Sequence, residues 1–227
     1  MQPEHFWQEL EPPGAPSPTG PYREFYPAEF AGGQLRLPIR VLADGESALA
    51  SLIINQASFA VQEALASALA EKIRGLAPDM VIGLPTLGLT LAAAVARHLG
   101  HSRYVPLGTS RKFWYRDELS VALSSITTPD RKRLYIDPRM LPLIEGRRVA
   151  LVDDVISSGT SIAAGLELLG LCGIEPVVIG AAMLQSDRWR QRLDGIDPKW
   201  AARVEGVLST PILQPAEGGG WQRPASA

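Results

Sequence analysis

Apolar residues in this chain follow two alternating patterns, short unbroken runs and longer stretches with a residue every three or four positions. Met80-Val81-Ile82, Tyr104-Val105-Pro106, Val149 to Val152 and Pro176 to Met183 are such runs. They are short, rich in β-branched residues and bounded by polar positions, which predicts strands buried on both faces of a parallel sheet. Ala57 to Arg74 instead carries Phe59, Val61, Leu65, Leu69 and Ile73 at roughly helical spacing, and Gly75 and Pro78 stop it. Leu89 to Leu99 is a second apolar helix closed by Gly100, and Ile162, Leu166, Leu168 and Leu169 supply the face of a third. Strands alternating with helices at these intervals predict an α/β fold, a parallel sheet with helices on both faces.

The flanks read differently. Residues 1–33 are broken by Pro12-Pro13, Pro16, Pro18, Pro21 and Pro27, so an irregular arm is expected, with Tyr22, Phe25, Tyr26 and Phe30 anchoring it to its own domain. A base pocket or a subunit contact are the other uses open to those rings. Gln34 to Leu42, interrupted by Pro38, suggests an edge strand or extended connector ending in the turn Ala43-Asp44-Gly45. Ala202 to Leu213 suggests a final small strand, and Gly218-Gly219-Gly220 with the closing Arg-Pro-Ala-Ser-Ala suggests disorder. The expected division is an arm at 1–33, one domain at 34–213 and a flexible tail at 214–227.

Composition narrows the classes. A net charge of −2 over 227 residues argues against a general nucleic-acid or membrane-surface binder. Cys172 is the only cysteine, which excludes an intramolecular disulfide and a cysteine-based zinc site, and its place after an apolar helix suggests a small core residue. No signal-peptide pattern opens the chain and no apolar run approaches ~18 residues, so a soluble cytoplasmic protein is expected.

Chemistry concentrates at Val149 to Ser161. The apolar run is followed directly by Asp153 and Asp154, at the strand end where open α/β sheets bind ligands. Ser157-Ser158-Gly159-Thr160-Ser161 then opens a helix with four hydroxyls and one glycine. Free backbone N–H groups and the positive end of a helix dipole suit a phosphate. An acidic pair suited to sugar hydroxyls or a Mg²⁺ shell beside a phosphate cradle fits a ribose 5-phosphate. The bland alternative is a solvated acid pair with Ser158 or Thr160 merely capping the helix. A nucleoside-triphosphate P-loop is excluded, since no Gly-x-x-x-x-Gly-Lys-Ser/Thr occurs.

Two further segments belong with this one. Gly83-Leu84-Pro85-Thr86-Leu87-Gly88 follows a strand and opens a helix, so its amides suit a second phosphate, although such loops are often only tight turns. The connector from Leu107 to Arg148 is long, and residues 103–148 hold ten Arg or Lys against five Asp or Glu. A basic loop over the ligand edge is what a polyanion requires, whereas any single cation reads equally as solvated surface. Arg111-Lys112 before Phe113-Trp114-Tyr115 is its sharpest feature, and Leu134 to Ile136 is a candidate hairpin partner for Ser120 to Ile126.

These residues resemble the type I phosphoribosyltransferases, closest to the purine (xanthine and adenine) branch, from about Leu49 to Leu213. The resemblance implies that the chain transfers a 5-phosphoribosyl group from phosphoribosyl pyrophosphate (PRPP) to a purine base and releases pyrophosphate. It implies a small hood built from the N- and C-terminal segments, Mg²⁺ bound mainly through substrate with Asp153 and Asp154 as candidate ligands, and a homodimer. Asp153, Asp154, Arg111 and Lys112 become catalytic candidates, and Ser157, Ser158, Gly159, Thr160 and Ser161 the 5-phosphate site. Thr86, Leu87 and Gly88, with Arg111 and Lys112, become the pyrophosphate site, and Ile54, Asn55 and Gln185 the base site. Three departures stand out: Gln185 where xanthine-type enzymes carry lysine, Leu87 where adenine-type enzymes usually carry arginine, and Phe113-Trp114-Tyr115 in place of Lys-Leu-Pro. A PRPP-sensing regulator of the same fold, or a transferase for a non-purine base, are the rival expectations.

Overall fold

In the computed structural model, which describes residues 2–123 and 132–225, the apolar runs become strands of one parallel sheet. In chain order the elements are β1 (Phe25–Phe30), β2 (Gly33–Val41), β3 (Ala48–Ala50), α1 (Phe59–Arg74), β4 (Met80–Gly83), α2 (Gly88–His98) and β5 (Val105–Pro106). There follow β6 (Ser120–Ala122), β7 (Arg133–Tyr135), β8 (Val149–Ile156), α3 (Thr160–Leu171) and β9 (Val178–Gln185). The chain continues through α4 (Arg188–Asp194), α5 (Pro198–Ala202), β10 (Val204–Thr210), β11 (Ile212–Pro215) and β12 (Trp221–Gln222).

The main sheet has the order β10-β9-β8-β4-β5, and each neighbouring pair is parallel. The chain steps outward from β4 to β5, then returns to β8 on the other side of β4. At such a reversal the connections leave in opposite directions and open a crevice at the carboxyl ends of the two central strands. Strand alternation divides the core: Ala150 and Val152 face one cluster with α1 and α2, while Val149 and Leu151 face the other with α3. Helices therefore cover both faces.

Local signals explain α1 well. The Ser58 hydroxyl accepts from the Val61 N–H at the helix start, and Val61, Leu65, Leu69 and Ile73 are fully buried. Each such side chain contributes about 1.5–3 kcal/mol of transfer free energy. Phe59, expected on the same face, is 87% exposed, because two residues before Val61 lies on the opposite side of a 3.6-residue turn.

Both ends of the chain correct the expectation of irregular flanks. They meet in an antiparallel sheet of order β1-β2-β3-β11-β12. Phe25–Phe30 is a strand despite Pro27, since β1 lies at the sheet edge where a missing N–H can face outward. β2 is an interior strand, not an edge. Its Pro38 is tolerated because the Ser51 carbonyl opposite, left without a backbone donor, accepts from the Trp7 indole at 2.9 Å. Residues 202–213 divide into β10 of the main sheet and β11 of the hood, rather than one small strand. The glycine-rich end is tied to the hood: Trp221 exchanges backbone hydrogen bonds with Tyr22 at 2.6 and 2.7 Å, and Arg223 lies over the Tyr26 ring. Cys172 caps α3 and is half-buried, packed against the margin of the core beside α3 rather than within it. β6 and β7 form the expected hairpin, while the end of the proposed run at Ile126, and Arg131, lie outside the described residues.

Candidate active site

β4 stops at Gly83, opposite Val152, but β8 runs on to Ile156 paired with β9. The strand thus does not end before the acidic pair, as its apolar run suggested. The apolar residues Val155 and Ile156 resume after the acids and keep the ladder with β9, while on the β4 side the neighbour has become a loop. Asp153 and Asp154 therefore stand at the reversal point of the sheet, beside that loop.

Both carboxyl groups are buried, at 6% and 8% exposure, and neither forms an ion pair among the described residues. The Asp153 carboxylate accepts from the Asp154 N–H at 3.0 Å. Burial, with the neighbouring Asp154 charge adding to it, pushes Asp153 well above the usual carboxylate range. Burial also raises Asp154. Such a pair gains from a ligand that brings positive charge or hydroxyl donors. Among the described residues no group of three or more His, Cys, Asp or Glu could hold a metal ion, so a divalent cation here would need oxygens from a substrate.

Immediately beyond β8, Asp153 and residues 155–162 line a cavity of about 90 Å³, the size of a small anion. Gly159 supplies the turn into α3 at φ 75°, a left-handed conformation, and an added Cβ would come within 3.3 Å of the Trp189 backbone. The Ser158 and Thr160 hydroxyls lie 3.0 Å apart across the loop. Ser157 and Ser161 complete this rim at the start of α3.

The loop after β4 meets the acids directly. At Gly88, the first residue of α2, a Cβ would sit 2.6 Å from Asp153 Oδ1 and 2.8 Å from its Cα. Only a glycine lets this helix start pack against the acid pair. Thr86 is exposed, Leu87 half-buried and Gly88 buried, so Gly88 packs inward against Asp153 while Thr86 is presented to solvent.

The remaining expected residues are less uniformly placed. Arg111 is bound to Asp117, with Nε 2.8 Å from Oδ1, and Lys112 is exposed. Trp114 donates to Asp137 at 3.2 Å and carries Arg139 over its ring, a cluster that the sequence reading missed. Ile54 lies wholly inside the core, so its side chain serves packing, and the same turn exposes Asn55 and Gln56. Gln185 is no solvated strand end: it is 5% exposed and its Nε2 donates to the Ala50 carbonyl at 2.8 Å, tying the main sheet to the hood.

The model of the phosphoribosyl transferase domain family matches residues 50–204, which contain the acid pair and both phosphate-type loops. The chain belongs to that family. Among sequence relatives, the bifunctional protein PyrR of Pseudomonas aeruginosa (strain LESB58) is 36% identical over 97 residues, 42% of this chain. The chain spans about half of that relative's length, 51%. Among solved structures, the adenine phosphoribosyltransferase of Rhodothermus marinus DSM 4252 is 25% identical with a TM-score of 0.52, covering 67% of this chain and 81% of that one. The Giardia lamblia APRTase complexed with 9-deazaadenine is 18% identical with a TM-score of 0.56, covering 69% and 82%. The fold of this family accounts for the parallel sheet with helices on both faces. No helix among the described residues is long and apolar enough to cross a membrane.

Proposed function

We propose that this protein transfers the 5-phosphoribosyl group of PRPP to a purine base and releases pyrophosphate. The observation that carries this reading is the contact of Gly88 with Asp153, which brings the loop after β4, the buried acid pair and the hydroxyl-rich turn to one crevice. That spacing matches the three parts of PRPP: pyrophosphate at residues 86–88, ribose at Asp153 and Asp154, 5-phosphate at residues 157–161. The adenine phosphoribosyltransferase of Rhodothermus marinus supports a purine acceptor.

In this reading a ring nitrogen of the base bonds to ribose C1 as the C1–O bond to pyrophosphate breaks; that bond's electron pair leaves with pyrophosphate, and the base gives up its ring N–H proton to water. Positive charge grows on the ribose ring, so two carboxylates held dry and close to it stabilise the transition state more than the ground state. The α3 turn holds the 5-phosphate, and thereby C1, in place. Asp153 and Asp154, buried without a cationic partner, would help hold a Mg²⁺ that arrives with the substrate, and such an ion would supply positive charge to the pyrophosphate oxygens. Arg111 and Lys112 close over the leaving group once Arg111 exchanges Asp117 for pyrophosphate. Asn55, from the turn before α1, reads the base, and Gln185 shapes that pocket through its hold on Ala50. The active species is a cytoplasmic homodimer.

A second reading keeps the chemistry and changes the acceptor. The Pseudomonas aeruginosa relative is named as bifunctional, which supports a second role beside transfer, and the alternative acceptor is a non-purine base. One assay separates them: purified protein with PRPP and Mg²⁺ is offered adenine, hypoxanthine, guanine, xanthine and pyrimidine bases while pyrophosphate release is followed. Turnover with a purine supports the first reading, turnover with a pyrimidine alone supports the second, and none with any base removes the transferase reading.

A further inference from the structure

The phosphate turn has a neighbour that the known parts of the site leave out. Arg188 and Arg192 are separated by four residues on α4, so they share one face of that helix. Both reach the turn. Arg188 Nη2 lies 3.3 Å from Ser157 Oγ, and Arg192 Nε donates to the Ser158 carbonyl at 2.9 Å. Neither guanidinium has a carboxylate partner among the described residues, whereas Arg190 between them is paired with Asp187 at 3.1 Å. Trp189, 1% exposed, roots the helix against Gly159.

Taken with the transferase reading, on which this inference rests, we propose that α4 supplies the charge of the 5-phosphate site, Arg188 contacting the phosphate and Arg192 positioning the turn that cradles it. The turn itself offers hydroxyls and amides but no cation, while the 5-phosphate arrives with nearly two negative charges. Arg188 already touches a hydroxyl on the cavity rim, so a phosphate in the cavity comes within its reach and gains a charge-assisted hydrogen bond. Arg192 acts through geometry. A trans peptide points its carbonyl and its N–H to opposite sides. Holding the Ser158 carbonyl toward α4 therefore turns the Gly159 N–H away from α4, toward the anion. Ribose 5-phosphate binding is consequently expected to depend on two residues outside the recognised turn.

Calorimetric titration of the 227-residue chain with ribose 5-phosphate, and separately with pyrophosphate plus Mg²⁺, tests this. Arg188→Ala is expected to weaken ribose 5-phosphate about tenfold or more while leaving pyrophosphate unchanged. Arg188→Lys restores part of the loss, since charge returns without the planar fork. Arg192→Ala raises the KM for PRPP at unchanged kcat, acceptor KM and melting temperature. Arg74→Ala, which removes an equal charge from the far end of α1, changes neither titration. Wild-type affinity in Arg188→Ala, or an equal loss in Arg74→Ala, overturns the inference while the transferase reading stands on pyrophosphate release. A wild-type protein that binds neither ribose 5-phosphate nor PRPP overturns both.

Discussion

The acid edge and the basic connector of this protein carry opposite charge and opposite states of satisfaction. At the edge, Asp153 and Asp154 are buried with raised pKa values and no protein cation to answer them. In the connector, Arg111 and Arg139 are exposed and already answered, by Asp117 and Asp137. Burial without a partner stores unfavourable electrostatics that a ligand relieves. Of these pairs, Arg111–Asp117 is exposed on both sides and so contributes little and exchanges readily, whereas Asp137 is buried beneath Arg139. In the proposed reading, the difference separates a site preformed to receive substrate from a segment that closes on it.

The comparison breaks most visibly at the acids. Replacing Asp153 and Asp154 together by Asn is expected to reduce turnover to background while the ligand-free protein melts higher at neutral pH, because two unanswered buried charges are gone. A lower melting temperature, or retained turnover, would show that the pair is structural. Gly88→Ala should come next. Its Cβ would lie 2.6 Å from Asp153 Oδ1, so destabilisation of about 1–3 kcal/mol is expected from overpacking, with a fall in kcat of about a hundredfold from the shifted acid. Denaturant unfolding and steady-state rates measure the two effects, and a variant indistinguishable from wild type would separate the loop from the acids.

In the connector the effects are smaller. Arg111→Ala and Lys112→Ala should each lower kcat about tenfold with little change in PRPP affinity, since they act on the leaving group as charge develops. Asp117→Ala frees Arg111 and should leave kcat equal to wild type or higher. A raised KM at unchanged kcat would make Arg111 and Lys112 simple binding groups. The smallest effect is in pH dependence, where the two regions have opposite sign. Asp153 and Asp154 hold protons more tightly folded than unfolded, so ligand-free stability falls as pH rises above about 4, through their raised pKa values. Hydrogen bonding from Arg139 lowers Asp137 to about 2, so its contribution is present above about 4 and lost as pH falls toward 2. Melting curves against pH should lose the first slope in the double Asn variant and the second in Asp137→Asn.

Much of this was legible from local sequence. The strand–turn–helix from Val149 to Ser161 carries its own signals, an apolar run, a left-handed glycine and hydroxyls at a helix start, and the structure forms those elements there. The helix from Ser58 to Arg74 is likewise written in its cap and its spacing. Legibility failed where pairing is distant. β1 and β12 look irregular alone, with Pro27 or a run of glycines, and become strands only because opposite ends of the chain hydrogen-bond one another. Gln185 was expected in the base site, and nothing near it in sequence announces the Ala50 carbonyl, 135 residues away, that its side chain holds. The four-residue spacing of Arg188 and Arg192 is a signal that they share one face, but nothing in the local sequence points that face at the turn.

By itself, then, the sequence determined the alternation of elements, the acid pair and the phosphate-type turn, because each depends on contacts within one strand–turn–helix. Tertiary structure alone decided that β4 stops at Gly83 while β8 runs on, which sets the acids beside a loop instead of a strand. It also decided that Gly88 rests on Asp153, that Arg111 is held by Asp117, and that two arginines of α4 reach the turn. The physical reason is the same throughout. Propensity and periodicity act over a few residues, whereas burial, pKa and hydrogen-bond partners depend on which distant segments the sheet order makes neighbours.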